Sequence, residues 1–281
     1  MAAARAGVCC LKPSYGTVSR YGLVSLIPSM ECCSILARDP GHIAASLDAV
    51  AGDDGRDFSL PDEQAPRPSA GMPPRGTTVG VVAEAANLLA AEEAEEFRTT
   101  LTSLEQTGLT VRQLSLPEFA LFSAVHRIVG SVEASSCLGR YDSVRYGSRA
   151  PGAKNWNEMY LLSRGAAFGT LVKSFLIQGA FFQFERYSAF EDACRIRARL
   201  VKGMERLLRE VDFLALPVSG GAVSDQESGP TTLDGLYQES VFTLAANVTG
   251  QPALSLPAAP EAGRPTSLQL VGPRLSDNRL L

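Results

Sequence analysis

The stretch 77–114, TTVGVVAEAANLLAAEEAEEFRTTLTSLEQTGLTVRQL, decides the fold class of this sequence. Residues 77–82 form a short run that is rich in β-branched residues, which is typical of a buried strand. The span 91–107 places apolar side chains such as Phe97 and Leu101 on one face and predicts an amphipathic helix. Gly108 ends that helix, and 109–114 returns to a strand pattern. This order predicts a β-α-β unit at 77–114, and therefore a parallel or mixed sheet with helices packed on it.

The flanking sequence continues this alternation of strands and helices. Residues 1–38 predict irregular segments and short strands, whereas 39–52 predicts a helix capped by Asp39 with Pro40 in its first turn. The polar, Pro- and Gly-rich span 53–76 predicts an exposed loop. Further helices are expected at 118–139, 156–183, 184–210 and 235–248, with breaks near Gly165 and Gly179, and strands at 212–216, 253–256 and 268–271. We expect one α/β domain over residues 1–281, a mixed β-sheet flanked by helices.

Composition and charge exclude several classes of function. The chain has 281 residues, 45% of them apolar, and a net charge of -4. A chain with this charge offers no polyanion-binding surface, so we expect contact with RNA to run only through a partner protein. No apolar run is long enough to span a bilayer, so no membrane partner is expected.

The residues that most metal and nucleophile sites need are scarce. The six cysteines include two adjacent pairs and no Cys-x-x-Cys spacing, which argues against zinc and favours free thiols. The two histidines, His42 and His126, have no ligand-spaced partner, and exposed or core positions are the ordinary interpretation of both. No Gly-x-Ser-x-Gly, Gly-x-Gly-x-x-Gly or Walker A pattern occurs. We therefore expect no metal site and no cofactor.

A series of motifs resembles the amidase-signature family, beginning near the N-terminus. Residues 7–16, GVCCLKPSYG, are similar to the family's Gly-Val-x-Gly-Leu-Lys-Pro-Ser/Thr-x-Gly, and 18–24, VSRYGLV, resemble the continuation found in tRNA-dependent amidotransferase subunits. Residues 29–38, SMECCSILAR, resemble Ser-Leu-Asp-x-x-Gly-Pro-Leu-Thr-Arg, with Met30 and Ile35-Leu36 resembling mitochondrial members.

The resemblance continues in order to the C-terminal end of the chain. Residues 131–147, SVEASSCLGRYDSVRYG, resemble Glu-Ala-Ser-Ser-Asn-Leu-Ala-Arg-Tyr-Asp-Gly-x-Arg-Tyr-Gly, and 193–197, ACRIR, resemble Ala-Gln-Lys-Val-Arg. The segment 242–253 resembles Phe-Thr-x-x-x-Asn-x-Ala-Gly-x-Pro-Ala, and 267–272 resembles Gly-Leu-Gln-Leu-Ile-Gly. Each motif is weak alone, but their shared order and spacing make the family match specific.

The resemblance implies an amidase fold and glutamine as the amide donor. In this family a nucleophilic serine is activated by a second serine and a lysine. In the family's sequences, all three residues lie before the position that corresponds to residue 1 of this chain. We therefore expect a fold that is incomplete at the N-terminus and a chain that is inactive alone, with no catalytic residue among its own. In the tRNA-dependent members the released ammonia converts Glu-tRNA(Gln) to Gln-tRNA(Gln) together with subunits B and C, and the mitochondrial-type variants imply a mitochondrial location.

Two residues are implied to bind substrate. Arg197 matches the arginine that binds the glutamine carboxylate, a role that suits a guanidinium fork, although a solvated helix arginine is an equal alternative. Tyr146 is implied to line the same pocket, and a packed core tyrosine is the alternative favoured on general grounds. The acidic residue that holds the substrate ammonium matches Ser240, and the adjacent Glu239 would point elsewhere on a helix.

Three other functions compete with this interpretation. The Ser240 departure motivates a catalytically inactive relative that still binds partner subunits. A small-amide amidase of the same family is another alternative, which the segment 131–147 argues against. A ligand-binding α/β domain outside the family would require the motif series to be chance. We also expect poor stability in isolation, because missing N-terminal strands would leave apolar edges uncovered.

Overall fold

A computed structural model describes residues 2–59, 76–218, 232–258 and 266–281. Its strands are β1 (Cys9–Lys12), β2 (Ile35–Ala37), β3 (Thr78–Val82), β4 (Thr110–Leu114), β5 (Phe213–Pro217), β6 (Ala253–Ala258) and β7 (Thr266–Val271). They form one sheet in the order β2-β1-β6-β7-β5-β3-β4. The pairs β5–β3 and β3–β4 are parallel and the other four are antiparallel, so the predicted mixed sheet is confirmed.

Helices cover both faces of this sheet. They are α1 (Ala2–Ala6), α2 (Pro40–Val50), α3 (Ala83–Ala86), α4 (Ala91–Gln106), α5 (Leu121–Cys137), α6 (Trp156–Ala167), α7 (Thr170–Phe184), α8 (Tyr187–Glu210), α9 (Leu233–Ser240), α10 (Leu244–Thr249) and α11 (Asp277–Leu280). Side chains alternate along β5: Leu214 and Leu216 pack in the cluster that contains α5, α8 and α10, whereas Ala215 packs beside α4. The described strands thus lie between two helical layers.

The β-α-β unit forms as its pattern predicts. β3 and β4 run parallel with Thr78 opposite Thr110 and Val82 opposite Leu114. α4 crosses between them and buries Phe97 and Leu101 against the sheet. Burial of this apolar face explains why the periodicity of apolar residues identified the unit.

The helix at 39–52 is also confirmed, with its predicted cap. The Asp39 carboxylate accepts a hydrogen bond from the His42 backbone N–H at 3.0 Å, and Pro40 occupies the first turn. Of the loop predicted at 53–76, residues 60–75 lie outside the described residues.

Two helix predictions were wrong in detail. The span 156–183 breaks between α6 and α7, at Phe168 and Gly169, close to the break expected near Gly165, whereas no break occurs near Gly179. Gly179 lies inside α7, where a Cβ would be 1.9 Å from the Ser131 carbonyl oxygen of α5, so close helix packing explains this glycine.

The second error concerns the predicted helix 235–248. It divides into α9 and α10, which are separated at residues 241–243. Near the N-terminus, the short helix α1 also forms where only irregular structure and strands were expected. Among the helices of the described residues, none combines the length and apolar character needed to cross a bilayer.

Candidate functional site

One face of three adjacent strands forms the floor of a cavity of about 420 Å³. Cys10 and Lys12 of β1, Ala253 and Ser255 of β6, and Gln269 of β7 all line it. Ser255 is paired in register with both Cys10 and Gln269, and alternate residues of one strand share a face. The sheet therefore fixes the spacing of the polar groups on this floor.

The walls come from parts of the chain that are distant in sequence. They are the segment 26–34 on one side, His126 of α5, Val218 at the end of β5, and Thr243 and Asn247 at and within α10. The segment 26–34 turns back on itself because the Glu31 carboxylate accepts hydrogen bonds from the N–H groups of Leu26 (3.1 Å) and Ile27 (3.2 Å) and from the Ser25 hydroxyl.

An ion pair between Arg20 and Asp57 holds the chain that precedes this wall. The Asp57 carboxylate accepts hydrogen bonds from the Arg20 backbone N–H at 2.8 Å and from its Nε at 3.2 Å. Burial alone would raise the pKa of Asp57, but these bonds and those from Ser59 lower it well below its usual range. Arg20 also stacks over the Tyr15 ring at 4.9 Å, so the segment 15–31 is fixed by one arginine at several points.

Arg197, the predicted carboxylate ligand, is a partly buried arginine of α8. Its Nε donates to the Val248 carbonyl oxygen at 3.0 Å, and its two terminal nitrogens donate to the Ser29 hydroxyl (2.7 Å) and the Ser29 carbonyl oxygen (2.9 Å). Ser29 is held in turn by Glu133 of α5, which accepts from its N–H at 2.9 Å and from its hydroxyl. Arg197 is thus not a solvated helix arginine: it joins α8, α10 and the segment 26–34 behind the cavity wall.

Tyr146 lies on the surface in this structure. Its side chain is 54% exposed and packs edge-to-face on Tyr141, with ring centroids 6.2 Å apart. The interpretation of Tyr146 as a packed core tyrosine is therefore wrong. Neither Tyr146 nor Arg197 is among the described residues that line the cavity, and their substrate-binding roles stay predictions.

Ser240 and Glu239 lie at the C-terminal end of α9. The Ser240 hydroxyl donates to the Leu236 carbonyl oxygen of the same helix, and Glu239 pairs with Arg5 of α1 at 3.0 Å. The chain then turns, and Thr243, three residues after Ser240, reaches the cavity wall. Glu239 is therefore engaged by α1, as expected for a side chain that points away from the position of Ser240.

His126 is the residue that sequence reasoning missed, since it was assigned no site. Its Nδ1 lies 2.9 Å from the Tyr237 hydroxyl of α9, and its ring lines the cavity. Burial lowers the pKa of His126 to about 4, and the nearby positive charge of Arg197 acts in the same direction. The imidazole is therefore neutral at pH 7. No local sequence signal marks it, because its partner lies 111 residues away.

Lys12 is the cation of the cavity floor. Its Nζ donates to the Pro13 carbonyl oxygen at 2.9 Å and lies 3.9 Å from the Cys32 sulfur. Burial lowers the pKa of Lys12, and burial raises the pKa values of the neighbouring Cys10 and Cys32 thiols. Within the described chain no cluster of three or more His, Cys, Asp or Glu side chains is arranged to hold a metal ion.

Comparison with known proteins gives a consistent set of similarities. The family model described as Amidase matches residues 2–281. Two relatives, each named as the A subunit of glutamyl-tRNA(Gln) amidotransferase, are 34% identical over 99% of this chain: one from Marinobacter nauticus, of which the match covers 59%, and one from Natronomonas pharaonis, of which it covers 67%. The chain spans about three-fifths of the length of the curated relatives it matches.

Solved structures show the same fold. The crystal structure of the glutamyl-tRNA(Gln) amidotransferase A subunit from Thermotoga maritima superposes with a TM-score of 0.75 at 23% identity, covering 99% of this chain and 56% of that one. A 6-aminohexanoate cyclic dimer hydrolase, solved with its substrate, superposes with a TM-score of 0.72 at 22% identity, covering 99% and 59%. At these identities the likeness establishes the architecture alone.

Proposed function

This chain belongs to the amidase family, and from that premise we propose that it acts as the A subunit of a glutamyl-tRNA(Gln) amidotransferase. In that role it takes part in releasing ammonia from glutamine, and the ammonia converts Glu-tRNA(Gln) to Gln-tRNA(Gln). The enzyme would be a carbon–nitrogen ligase with glutamine as the amide donor, working in protein biosynthesis.

One observation carries the proposal: four motif segments of the resemblance converge on a single cavity. Lys12 comes from the Lys-Pro-Ser motif, Glu31 from 29–38, Asn247 from 242–253, and Gln269 from 267–272. These segments are up to about 250 residues apart in sequence, and each contributes side chains to one cavity wall or floor. Motifs that serve only packing would be expected to disperse through the core.

The surface supports work in an assembly with the B and C subunits. Leu161 of α6 and Ile177 and Phe184 of α7 are 69%, 71% and 76% exposed. Exposed large apolar side chains that share one helix, such as Ile177 and Phe184 seven residues apart on α7, are typical of surfaces that other proteins cover. The net charge of -4 gives no basis for direct charge-driven tRNA binding, so tRNA contact in this proposal runs through the partners.

Co-expression with the B and C subunits of the source organism tests this function. The expected result is a complex that survives size-exclusion chromatography. The family's Gly-Gly-Ser-Ser-Gly-Gly-Ser pattern does not occur in these 281 residues, so we propose that the chain alone releases no ammonia from glutamine in a coupled glutamate dehydrogenase assay. Failure to associate with either of these partners would refute the proposal.

A second candidate is a protein that binds the partner subunits without supporting glutamine hydrolysis. Two observations favour it: Ser240 replaces the expected acid, and three donors of Arg197 are already bonded within the chain. Restoring the acid in Ser240→Asp separates the two candidates. If L-glutamine binds the wild-type complex and Ser240→Asp binds it more tightly, a substrate role stands; if neither binds it, the partner-binding role does.

A mitochondrial location is also part of the proposal. It is supported by the Met30 and Ile35-Leu36 variants of the motif at 29–38. Subcellular fractionation followed by immunoblotting of the endogenous protein tests it, and recovery in the cytosol alone would refute this part of the proposal without affecting the rest.

A further inference from the structure

The cavity floor contains a lysine, Lys12, that forms no ion pair within the described part of the chain. The Lys12 ammonium donates to one carbonyl oxygen and lies near one thiol, and among the described residues no carboxylate forms an ion pair with it. A buried ammonium without a partner is costly, since burial penalises the charged form.

The nearest carboxylates are already engaged elsewhere. Glu31, which also lines the cavity, accepts from two backbone N–H groups and lies 3.9 Å from the Arg20 guanidinium. Asp277 acts on Lys12 only over a longer distance, and its two oxygens accept from the Ser14 N–H (2.7 Å) and hydroxyl (2.6 Å). Among the described residues, neither carboxylate forms an ion pair with the Lys12 ammonium.

Other polar groups of the same cavity also lack partners. Ser255 is 9% exposed, and its hydroxyl oxygen makes no hydrogen bond within the described chain. His126 uses Nδ1 for Tyr237, which leaves Nε2 as a hydrogen-bonding group without a partner among the described residues. An unpartnered hydroxyl buried to this degree is uncommon in native proteins and asks for a ligand or a water.

We propose that this cavity is a binding site for a small carboxylate, with Lys12 as its countercharge and Ser255 and His126 as hydrogen-bond donors. Lys12 is opposite Ala253 in register, so Ser255 occupies the diagonal cross-strand position, roughly 7–8 Å away and within reach of a long side chain. In the tautomer that protonates Nε2, the Tyr237 hydroxyl donates to Nδ1 at 2.9 Å and Nε2 is a donor for the carboxylate. A volume of about 420 Å³ suits a molecule of amino-acid size.

This site is separate from the guanidinium of Arg197, which lies behind the wall and is bonded to Ser29 and Val248. The inference does not rest on the proposed function, because carboxylate binding by the isolated chain is independent of any partner protein. Binding would also reverse the effect of burial on Lys12, whose pKa should rise when a carboxylate occupies the cavity.

A titration with two isosteric probes tests the inference. The ¹⁵N-labelled chain is titrated at pH 7.5 with acetate and, separately, with acetamide, at constant ionic strength, while amide shifts of residues 10–12 and 253–255 are followed. Acetate is expected to bind saturably and at least about ten-fold more tightly than acetamide, since a charge-assisted bond is roughly twice as strong as a neutral one.

Matched variants assign the effect to the cavity. Lys12→Met is expected to weaken acetate binding at least about ten-fold and to leave acetamide unchanged, whereas Lys173→Met on exposed α7 changes neither. If Lys12→Met does not fold, Ser255→Ala provides the same test, with acetate binding about three- to ten-fold weaker. Equal binding of the two probes, no saturable binding of acetate, or full acetate affinity in a folded Lys12→Met or Ser255→Ala chain would overturn the proposal.

Discussion

The helix pair α5–α7 and the segment 14–31 are held in place by different kinds of interaction. The helices approach each other backbone to backbone, with Gly179 of α7 against the Ser131 carbonyl of α5. The segment 14–31 forms no helix or strand; besides the buried side chains of Ile27 and Met30, it is fixed by polar bonds to residues far along the chain. Ser14 binds Asp277, 263 residues away, and Ser29 binds Arg197, 168 residues away.

The two regions should therefore be destabilised by different kinds of substitution. A packed helix pair depends on shape, so an added methyl group is its most damaging change. A segment held by polar bonds depends on the pairing of a few buried groups, so the loss of one partner is its most damaging change. The cavity is bordered by the second kind of region, so its geometry depends on charges that lie outside it.

The largest expected effect comes from Gly179→Ala. The new Cβ would lie 1.9 Å from a backbone oxygen, so the helices must separate, and we expect a loss of about 3–5 kcal/mol in unfolding free energy. The matched control is Gly165→Ala in α6, where a Cβ meets no atom within 4 Å; it should leave stability unchanged or raise it by up to about 1 kcal/mol. Urea denaturation followed by circular dichroism measures both. Similar losses in the two variants would show that packing at Gly179 is not special.

The second-largest loss of stability is expected from Arg197→Met, which breaks polar bonds that hold the segment 14–31. Arg197→Met removes three hydrogen bonds and leaves the Ser29 oxygen atoms and the Val248 carbonyl oxygen without their donor, so we expect a loss of about 2–4 kcal/mol. Arg195→Met provides the control two residues away, because Arg195 is 70% exposed and, among the described residues, pairs with Asp192 of its own helix alone. Its loss should stay below about 0.5 kcal/mol. Equal unfolding midpoints for the two variants would contradict the bracing role of Arg197.

The sequence predicted the elements whose buried residues recur at regular spacing. It did not predict features that depend on contacts between residues far apart in the chain. The unit 77–114 and the Asp39 cap depend on neighbours within a few residues, so spacing and residue type identify them. The helix break predicted near Gly179 was wrong. This glycine is needed because α7 packs against the Ser131 carbonyl of α5, which is 48 residues away and leaves no local sequence pattern. His126 was missed for the same reason: its partner Tyr237 belongs to another helix.

A pH-dependent effect of intermediate size is expected from His126. Its pKa in the folded chain is lowered to about 4, whereas the unfolded chain protonates near pH 6.5. Between these values the unfolded chain binds more protons, so stability falls as the pH is lowered, by about 2 kcal/mol from pH 7 to pH 5.

The His126→Phe variant should lose this difference between pH 7 and pH 5, measured by urea denaturation at both values. The control is His42→Gln, which alters the other histidine of the chain, an exposed residue of α2, and should retain it. An unchanged pH dependence in His126→Phe would mean that this imidazole does not titrate as its burial indicates.

The smallest expected effect is that of Glu31→Gln. The amide keeps one acceptor oxygen but weakens the bonds to the Leu26 and Ile27 N–H groups, and we expect a loss of about 1 kcal/mol. Limited proteolysis near residues 25–31 should accelerate, while Glu95→Gln, whose carboxylate is 64% exposed in a surface pair, should cleave like the wild type. Unchanged cleavage in Glu31→Gln would show that the turn holds without this carboxylate.

Native-state hydrogen exchange on wild-type and Arg197→Met chains tests most directly whether the segment 14–31 and the helix pair α5–α7 are held by different interactions. If distant polar bonds hold the segment bordering the cavity, the backbone amides of Ile27, Ser29 and Met30 should exchange faster in the variant, while those of α5 and α7 keep their protection relative to global unfolding. Faster exchange spread evenly over both regions, or no change at these three amides, would contradict this account.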